Sequence, residues 1–350
     1  MHRGGRAPVS TLAVATVAVA IVLVGVAIAW SEEPSSTTRI GVVDFFGTSG
    51  VDVAAVRRRL PLRAGDTLEE SRFEELQQKI QAAVEAVVHR SPTDVAGVCC
   101  DAHGGWLLYI GLAGSNHHPA THQPVPSGSA CLPATAVDLY TRAVDANMKA
   151  AQKGDTAEDD SQGYALGNDP DLRQAQLALR DFAVKNAGPI RAALRDCSLA
   201  ENRQAAAALL GYADRSAEQT AQLVQSANDA DALVRNNALR ALEVLAATPA
   251  GAGMQADALV GMLNSGSWTD RNKAGLLFMR LTERRDPHLR SVLAHQALAS
   301  LVEMARWQDA PHALPYRLIL GRIGGIEEKR LLELTSSGKV EAIITSAVKK

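Results

Sequence analysis

The second half of the sequence repeats one helical pattern, and this repetition restricts the fold more than any other feature. Each copy has an apolar helix that ends in Leu, a short polar turn with Asp or Ser, and an Arg that opens a helix rich in Ala and Leu. The four arginines are Arg203, Arg235, Arg271 and Arg317, which lie 32, 36 and 46 residues apart. One helix pair cannot bury its apolar residues alone, so copies must stack on their neighbours. The pattern predicts a mainly α fold over residues 171–350.

The clearest copy is segment 233–242, with the sequence LVRNNALRAL. This pattern resembles a HEAT-repeat protein over roughly 171–350. The resemblance implies an α-solenoid whose long surface holds protein partners. It also implies that Arg203, Arg235, Arg271 and Arg317 are structural residues, each pairing with an Asp at an inter-helix turn. The alternative is that they line a concave surface and bind acidic ligands.

The first 30 residues carry the pattern of an export signal. Arg3 and Arg6 precede the stretch 9–30, which contains no charged residue. Apolar residues lower the cost of entering lipid, and the arginines keep the N-terminal end in the cytoplasm. The length of the stretch favours an uncleaved transmembrane anchor, since a span needs about 20 residues. The alternative is a signal peptide cleaved before Trp30, because small residues flank Ile28 on both sides.

A linker over 31–38, rich in Ser, Thr, Glu and Pro, leads to a unit over 39–113 with mixed periodicity. Its β-branched and aromatic runs indicate strands, and its apolar residues at helical spacing indicate helices. The predicted elements are a strand over 40–46, helices over 53–60 and 73–88, and strands over 95–100 and 106–112. The order is therefore β-α-α-β-β, a small α+β domain.

This order resembles the polypeptide-transport-associated (POTRA) domain of cell-envelope proteins over residues 39–113. The residues that carry the resemblance are Ile40-x-Val42-x-x-Phe45-x-Gly47 and Leu60-x-Leu62-x-x-Gly65-Asp66. The resemblance implies a protein-docking role through an exposed strand edge, to which a partner strand can add.

Residues 114–135 contain Gly, Ser, Asn and Pro without periodicity, which predicts a long loop. The loop contains His117, His118 and His122, but neither these nor the cysteines have the spacing of a zinc site. We therefore predict no metal. A helix over 137–152 and an acidic connector over 153–170 complete the segment 136–170.

The four cysteines allow three disulfide pairings in an oxidising compartment. A bond from Cys99 or Cys100 to Cys131 would tie the loop to its strand. Adjacent strand residues point to opposite faces, so only one of the two faces the loop. We take Cys100 and Cys131 as the predicted pair.

Charge and motifs exclude several functions. The chain has 36 basic and 38 acidic residues with a net charge of −2, and no basic stripe, so nucleic acid is not an expected partner. No nucleophile elbow, phosphate-binding loop, dinucleotide fingerprint or zinc-protease motif occurs, so we expect neither an enzyme nor a cofactor. Near helix breaks, Trp268 and Trp307 are interpreted as apolar staples, with binding anchors as the alternative.

These observations predict a non-enzymatic exported scaffold that binds protein partners through its repeats. The expected location is the cell envelope, with the bulk of the chain outside the cytoplasm: anchored by one span in the inner membrane, or periplasmic or secreted after cleavage. The alternatives are a regulatory module that binds a small ligand or metal, and a HEAT-like lyase or processing factor.

Overall fold

The computed structural model describes residues 37–115 and 122–349. No helix within these ranges is both long enough and apolar enough to cross a membrane. The anchor or signal peptide expected over 1–30 lies outside the described residues, together with most of the linker over 31–38.

The described chain is mainly helical, with a small sheet near its start. The strands are β1 (Thr37–Phe46), β2 (Thr67–Glu69), β3 (Asp94–Val98), β4 (Trp106–Gly111), β5 (Glu158–Asp159) and β6 (Leu166–Gly167). The α-helices are α1 (Val53–Arg59), α2 (Phe73–Val88), α3 (Ala134–Gln152), α4 (Pro170–Lys185), α5 (Ala187–Asp196), α6 (Ala200–Gly211), α7 (Ala217–Ser226), α8 (Ala232–Ala246), α9 (Trp268–Thr282), α10 (Pro287–Gln296), α11 (Leu298–Ala305), α12 (Ala310–Ile323), α13 (Glu328–Ser336) and α14 (Val340–Val348). Three 3-10 helices cover Glu70–Arg72, Pro249–Gly253 and Ala256–Asn264.

All five predicted elements of the N-terminal unit are present, but one addition between the two helices changes the order to β-α-β-α-β-β. The sheet has the order β2-β1-β4-β3, in which β1 and β4 run parallel at the centre and the two edge strands are antiparallel to their neighbours. The addition is β2, which has only three residues. Three residues are too few to show an alternation of apolar and polar side chains, so no sequence pattern marks this strand.

Helices cover both faces of the sheet. On one face, Ile40, Val43 and Phe45 of β1 pack with Ile80 and Val84 of α2. The opposite face belongs to a second core that runs through the whole helical region. This arrangement explains why all six residues of β4 are buried, since neither face of a central strand is left to solvent.

Phe46, Leu107 and Tyr109 form that opposite face, and they share one apolar cluster with Trp268 and Trp307. Side chains alternate along a strand, so β4 sends Trp106, Leu108 and Ile110 to α2 and sends Leu107 and Tyr109 to the C-terminal helices. The sequence divides the chain into separate domains over 39–113 and 171–350. In the structure these regions pack together through a continuous core.

The C-terminal helices lie in two layers. In one layer, the second helix of each pair packs on the second helix of the following pair. Thus α6 contacts α8, α8 contacts α9, α9 contacts α12 and α12 contacts α14. The other layer contains α5, α7, the 3-10 helix Ala256–Asn264, and α10 with α11. Small residues allow the close approach, because a Cβ on Gly211 would lie 2.8 Å from the Cβ of Ala241.

The predicted acidic connector is folded rather than open. It contains the hairpin of β5 and β6, whose Glu158 forms an ion pair with Arg240 of α8 and whose Asp160 forms one with Arg280 of α9. The acidic residues of the connector therefore pair with arginines about 80 to 120 positions later in the chain. Local sequence patterns do not reveal pairing over such a separation. The preceding helix, predicted from 137, begins earlier, at Ala134.

Candidate functional site

Two of the four recurring arginines join consecutive helix pairs through buried hydrogen bonds to a carboxylate. Arg203 donates from Nε and Nη2 to the Asp229 carboxylate, at 2.9 Å for each bond. Arg235 donates from Nε to both oxygens of Asp270, at 3.0 and 3.2 Å. Each guanidinium also donates to two backbone carbonyls in the turn before its own helix. Asp229 lies in the turn before α8, as the sequence predicts for a structural arginine, whereas Asp270 lies in the first turn of α9.

The other two arginines make no hydrogen bond to an Asp carboxylate of the described residues. Arg271 donates to the Ser265 carbonyl at 2.6 Å and lies 3.5 Å from Glu303, while Arg317 donates to the carbonyls of Ala305 and Trp307. Arg203, Arg235 and Arg271 are buried. The alternative in which all four form an open row for acidic ligands is therefore wrong, because three of the four side chains are not exposed to solvent.

The predicted disulfide between Cys100 and Cys131 is wrong. Cys131 is bonded to Cys197, with 4.9 Å between their Cα atoms, and Cys100 is bonded to its neighbour Cys99. The segment before Cys131 runs along the helical layer instead of returning to the sheet, and Gly128 pairs there with Cys197. The partner was missed because Cys197 lies 66 residues later, inside the helical repeats.

The histidine-rich loop lies only partly within the described residues. His122 contacts Asn228, with 3.3 Å between Nδ1 and Oδ1, whereas His117 and His118 lie outside the described ranges. No group of three or more His, Cys, Asp or Glu residues that could hold a metal occurs among the residues that the structure describes.

Both tryptophans near helix breaks are buried where the sheet meets the helices, so they are not exposed binding anchors. Trp268 stacks on Tyr109 with 5.2 Å between ring centroids, and Trp307 lies 4.7 Å from the same ring. Trp307 also donates from Nε1 to the Phe45 carbonyl at 3.0 Å. Trp268 begins α9 and Trp307 lies in the turn between α11 and α12, and both positions reflect packing against the sheet.

Two carboxylates of the sheet bind backbone N–H groups at helix starts. Asp94 accepts from the Trp268 N–H at 2.7 Å, and Asp44 accepts from the Gln308 N–H at 2.7 Å. Burial raises the pKa of both carboxyl groups, and the hydrogen bonds that they accept oppose this change. These contacts cap α9 and the turn before α12 from outside the helical region.

His312 makes the stability of this junction depend on pH. It shares a 2.7 Å hydrogen bond with the Tyr109 hydroxyl, and burial lowers its pKa to about 4. An unfolded histidine titrates near 6.5, so the unfolded chain binds the proton first as pH falls. We expect His312 to reduce the free energy of unfolding by about 2 kcal/mol between pH 7 and pH 5.

The matched variant is His312→Asn, whose amide can keep the bond to Tyr109 without titrating. Urea unfolding of both proteins at several pH values should give a flatter pH profile for the variant. Asp309, 3.3 Å from the imidazole, and the nearby Lys273 are present in both proteins, so their titration cancels in the comparison. Parallel profiles would rule out the proposed role of His312.

A groove of about 1150 Å³ is open along the helical region. It follows the layer that contains α5 and α7, from α7 across the 3-10 helix Ala256–Asn264 to α10 and α11. Six carboxamide side chains line it: Gln123, Gln225, Asn228, Gln255, Asn264 and Gln296. Apolar side chains, including Val224, Met262 and Val302, lie between them.

Charge is confined to one end of this groove and to His295. At that end, Glu303 lies beside Arg271 and accepts from the N–H groups of Gly47 and Thr48, at 3.0 and 2.8 Å. Gln225, Gln255 and Gln296 are exposed, and their side-chain amides make no hydrogen bond to another described residue. The rest of the groove therefore offers neutral groups that both donate and accept hydrogen bonds.

No protein-family model and no curated protein matches this chain. The candidate site therefore rests on its own geometry. The carboxamides could not be found from the sequence because they lie on separate helices and loops between residues 123 and 296, and no spacing within one helix connects them.

Proposed function

We propose that the chain is a non-enzymatic exported scaffold that binds an extended segment of a partner protein in the carboxamide-lined groove. The observation that carries the proposal is the combination of carboxamides and apolar patches along a groove of about 1150 Å³. A backbone in extended conformation has N–H and C=O groups without internal partners. A carboxamide can donate to one and accept from the other, while the apolar patches receive side chains.

The packing of the helices supports a HEAT-like solenoid as the scaffold. Bonds from Arg203 and Arg235 connect consecutive helix pairs, and each second helix packs on the next. A binding surface built on such rigid elements holds its polar groups in fixed positions. This rigidity lowers the entropy cost of binding an extended chain.

The POTRA-like unit offers a second, smaller docking surface at β3, an edge strand of the sheet. That edge is partly covered, because Gln77 of α2 donates from Nε2 to the Val95 carbonyl at 3.0 Å. A five-residue strand with one carbonyl already bonded leaves few groups for strand addition. We therefore assign the main partner to the groove.

Export is supported by the N-terminal pattern and by the cysteines. The bond between Cys131 and Cys197 joins distant parts of the chain, and such bonds persist in oxidising compartments. We propose a location in the cell envelope with residues after Trp30 outside the cytoplasm, either anchored in the inner membrane or released after cleavage.

The test is site-specific photocrosslinking in the native envelope with the full-length chain. A photoreactive residue replaces Gln225 or Gln296 in the groove, and the matched control replaces Gln152, an exposed residue of α3 outside the groove. We expect both groove positions to crosslink to neighbouring positions of one partner segment, identified by mass spectrometry of the joined peptides. Equal crosslinking at Gln152, or no polypeptide at either groove position, would overturn the proposal.

A further inference from the structure

A second cavity, of about 190 Å³, lies in the other helical layer and shares no lining residue with the groove. Helices α3, α4, α6 and α8 form its walls, and α9 contributes one residue, Lys273. An engineered apolar cavity of about 150 Å³ binds benzene, so this volume suits a molecule with a body of about one ring. Val144, Met148, Leu179 and Val244 provide apolar surface for such a body.

Lys273 is the unusual group in this cavity. The residue is only 6% exposed, and its ammonium group makes neither an ion pair nor a hydrogen bond with any described residue. Burial, followed by the nearby charge of Arg240, lowers the pKa of Lys273 to about 8. A buried cation without an acceptor carries a desolvation cost that a bound anion can offset.

The charges around Lys273 are paired with one another. Arg240 pairs with Glu158, and Arg280 pairs with both Glu243 and Asp160. Lys273 is therefore the cation of this cluster without a carboxylate of its own. A carboxylate that enters the cavity would complete its pairing.

Asn236 adds an acceptor to the same cavity. Its Nδ2 donates to Asn237 at 3.2 Å, but its Oδ1 is buried without a hydrogen-bond partner. Both Asn236 and Lys273 line the cavity. Asn236 lies on α8 and Lys273 on the neighbouring α9, so a ligand that satisfies both carries a carboxylate and a nearby hydrogen-bond donor.

We propose that this cavity binds a small 2-hydroxy or 2-amino carboxylic acid with an apolar side chain. The carboxylate accepts from Lys273, the adjacent hydroxyl or ammonium donates to Asn236, and the side chain packs between α3 and α4. The site is independent of the groove, so the failure of either proposal leaves the other intact.

The test uses calorimetry with the full-length chain and four probes of one carbon skeleton. Leucine and 2-hydroxy-4-methylpentanoate carry both groups, 4-methylpentanoate lacks the donor, and leucinol lacks the carboxylate. We expect one or both of the first two to bind, 4-methylpentanoate to bind about tenfold more weakly, and leucinol not to bind. Binding of leucine alone identifies an amino acid as the ligand, and binding of the hydroxy acid alone identifies a hydroxy acid.

Two variants and one pH series separate this site from adventitious binding. Lys273→Met should weaken binding at least tenfold, Asn236→Leu should weaken it about fivefold, and Lys149→Met, an exposed lysine of α3, should leave it unchanged. Binding of the hydroxy acid should weaken about tenfold from pH 7 to pH 9.5, as Lys273 loses its proton. Thermal unfolding checks that each variant is folded. No binding of any probe at about 10 mM, or full binding by Lys273→Met, would overturn the proposal.

Discussion

Replacing Arg235 by Met is expected to lower the free energy of unfolding by about 3–5 kcal/mol, because it leaves a charge buried without its partner. Asp270 is 0% exposed, and Arg235 supplies the opposite charge. Without Arg235, the described partner left to the Asp270 side chain is the Ser265 hydroxyl, at 2.7 Å. Urea unfolding at pH 7, followed by circular dichroism, measures the loss.

The control for Arg235 is an exposed pair of the same chemistry. Arg195 bonds to Asp196 on the surface at 2.9 Å, and Arg195→Met should change the free energy of unfolding by less than about 1 kcal/mol. The double variant Arg235→Met with Asp270→Leu should recover much of the loss, since no lone charge remains. A loss below about 1 kcal/mol in the single variant would contradict the structural role of the arginine.

Replacing Trp307 by Ala is expected to cost about 3–5 kcal/mol and to weaken the sheet and the helices together. The side chain is 2% exposed, lies 4.7 Å from the Tyr109 ring and 5.5 Å from the Tyr316 ring, and donates to the Phe45 carbonyl. Removing it opens a cavity between β4 and the helices. Because both regions share one core, we expect a single unfolding transition.

Hydrogen exchange distinguishes cooperative unfolding from separate domains. Amides of β4 and of α9 should lose protection by similar amounts in Trp307→Ala. The control Leu177→Ala, at a side chain that is 43% exposed on α4, should change neither. If β4 lost protection while α9 kept it, the sheet would be a separate domain, as the sequence pattern alone suggests.

Features that depend on neighbouring residues could be predicted from the sequence. The apolar spacing of segment 73–88 gives the bounds of α2, and the turn before Arg235 indicates its structural role. Both signals lie within one or two helical turns. Propensity and periodicity report contacts at this range, and these are the contacts that were predicted correctly.

Features that depend on distant residues could not be predicted. Asp44 binds Gln308 across 264 positions, Glu158 binds Arg240 across 82, and Cys131 binds Cys197 across 66. Nothing beside Asp44 in the sequence marks it as the acceptor for a helix start. The cavity at Lys273 could not be predicted for the same reason, because five helices must pack before this lysine becomes a buried cation.

The hydrogen bond from Trp307 to Phe45 joins residues 262 positions apart, so it cannot form until most of the chain has been synthesised. Strands β1 and β4 are complete after about a third of the chain has been made, but the helices that cover their second face come last. A chain synthesised from its N-terminus therefore carries Phe46, Leu107 and Tyr109 uncovered until α12 has been made. Such apolar surface favours aggregation or capture by chaperones. Both risks end only when the last helices pack on the sheet and cover this surface.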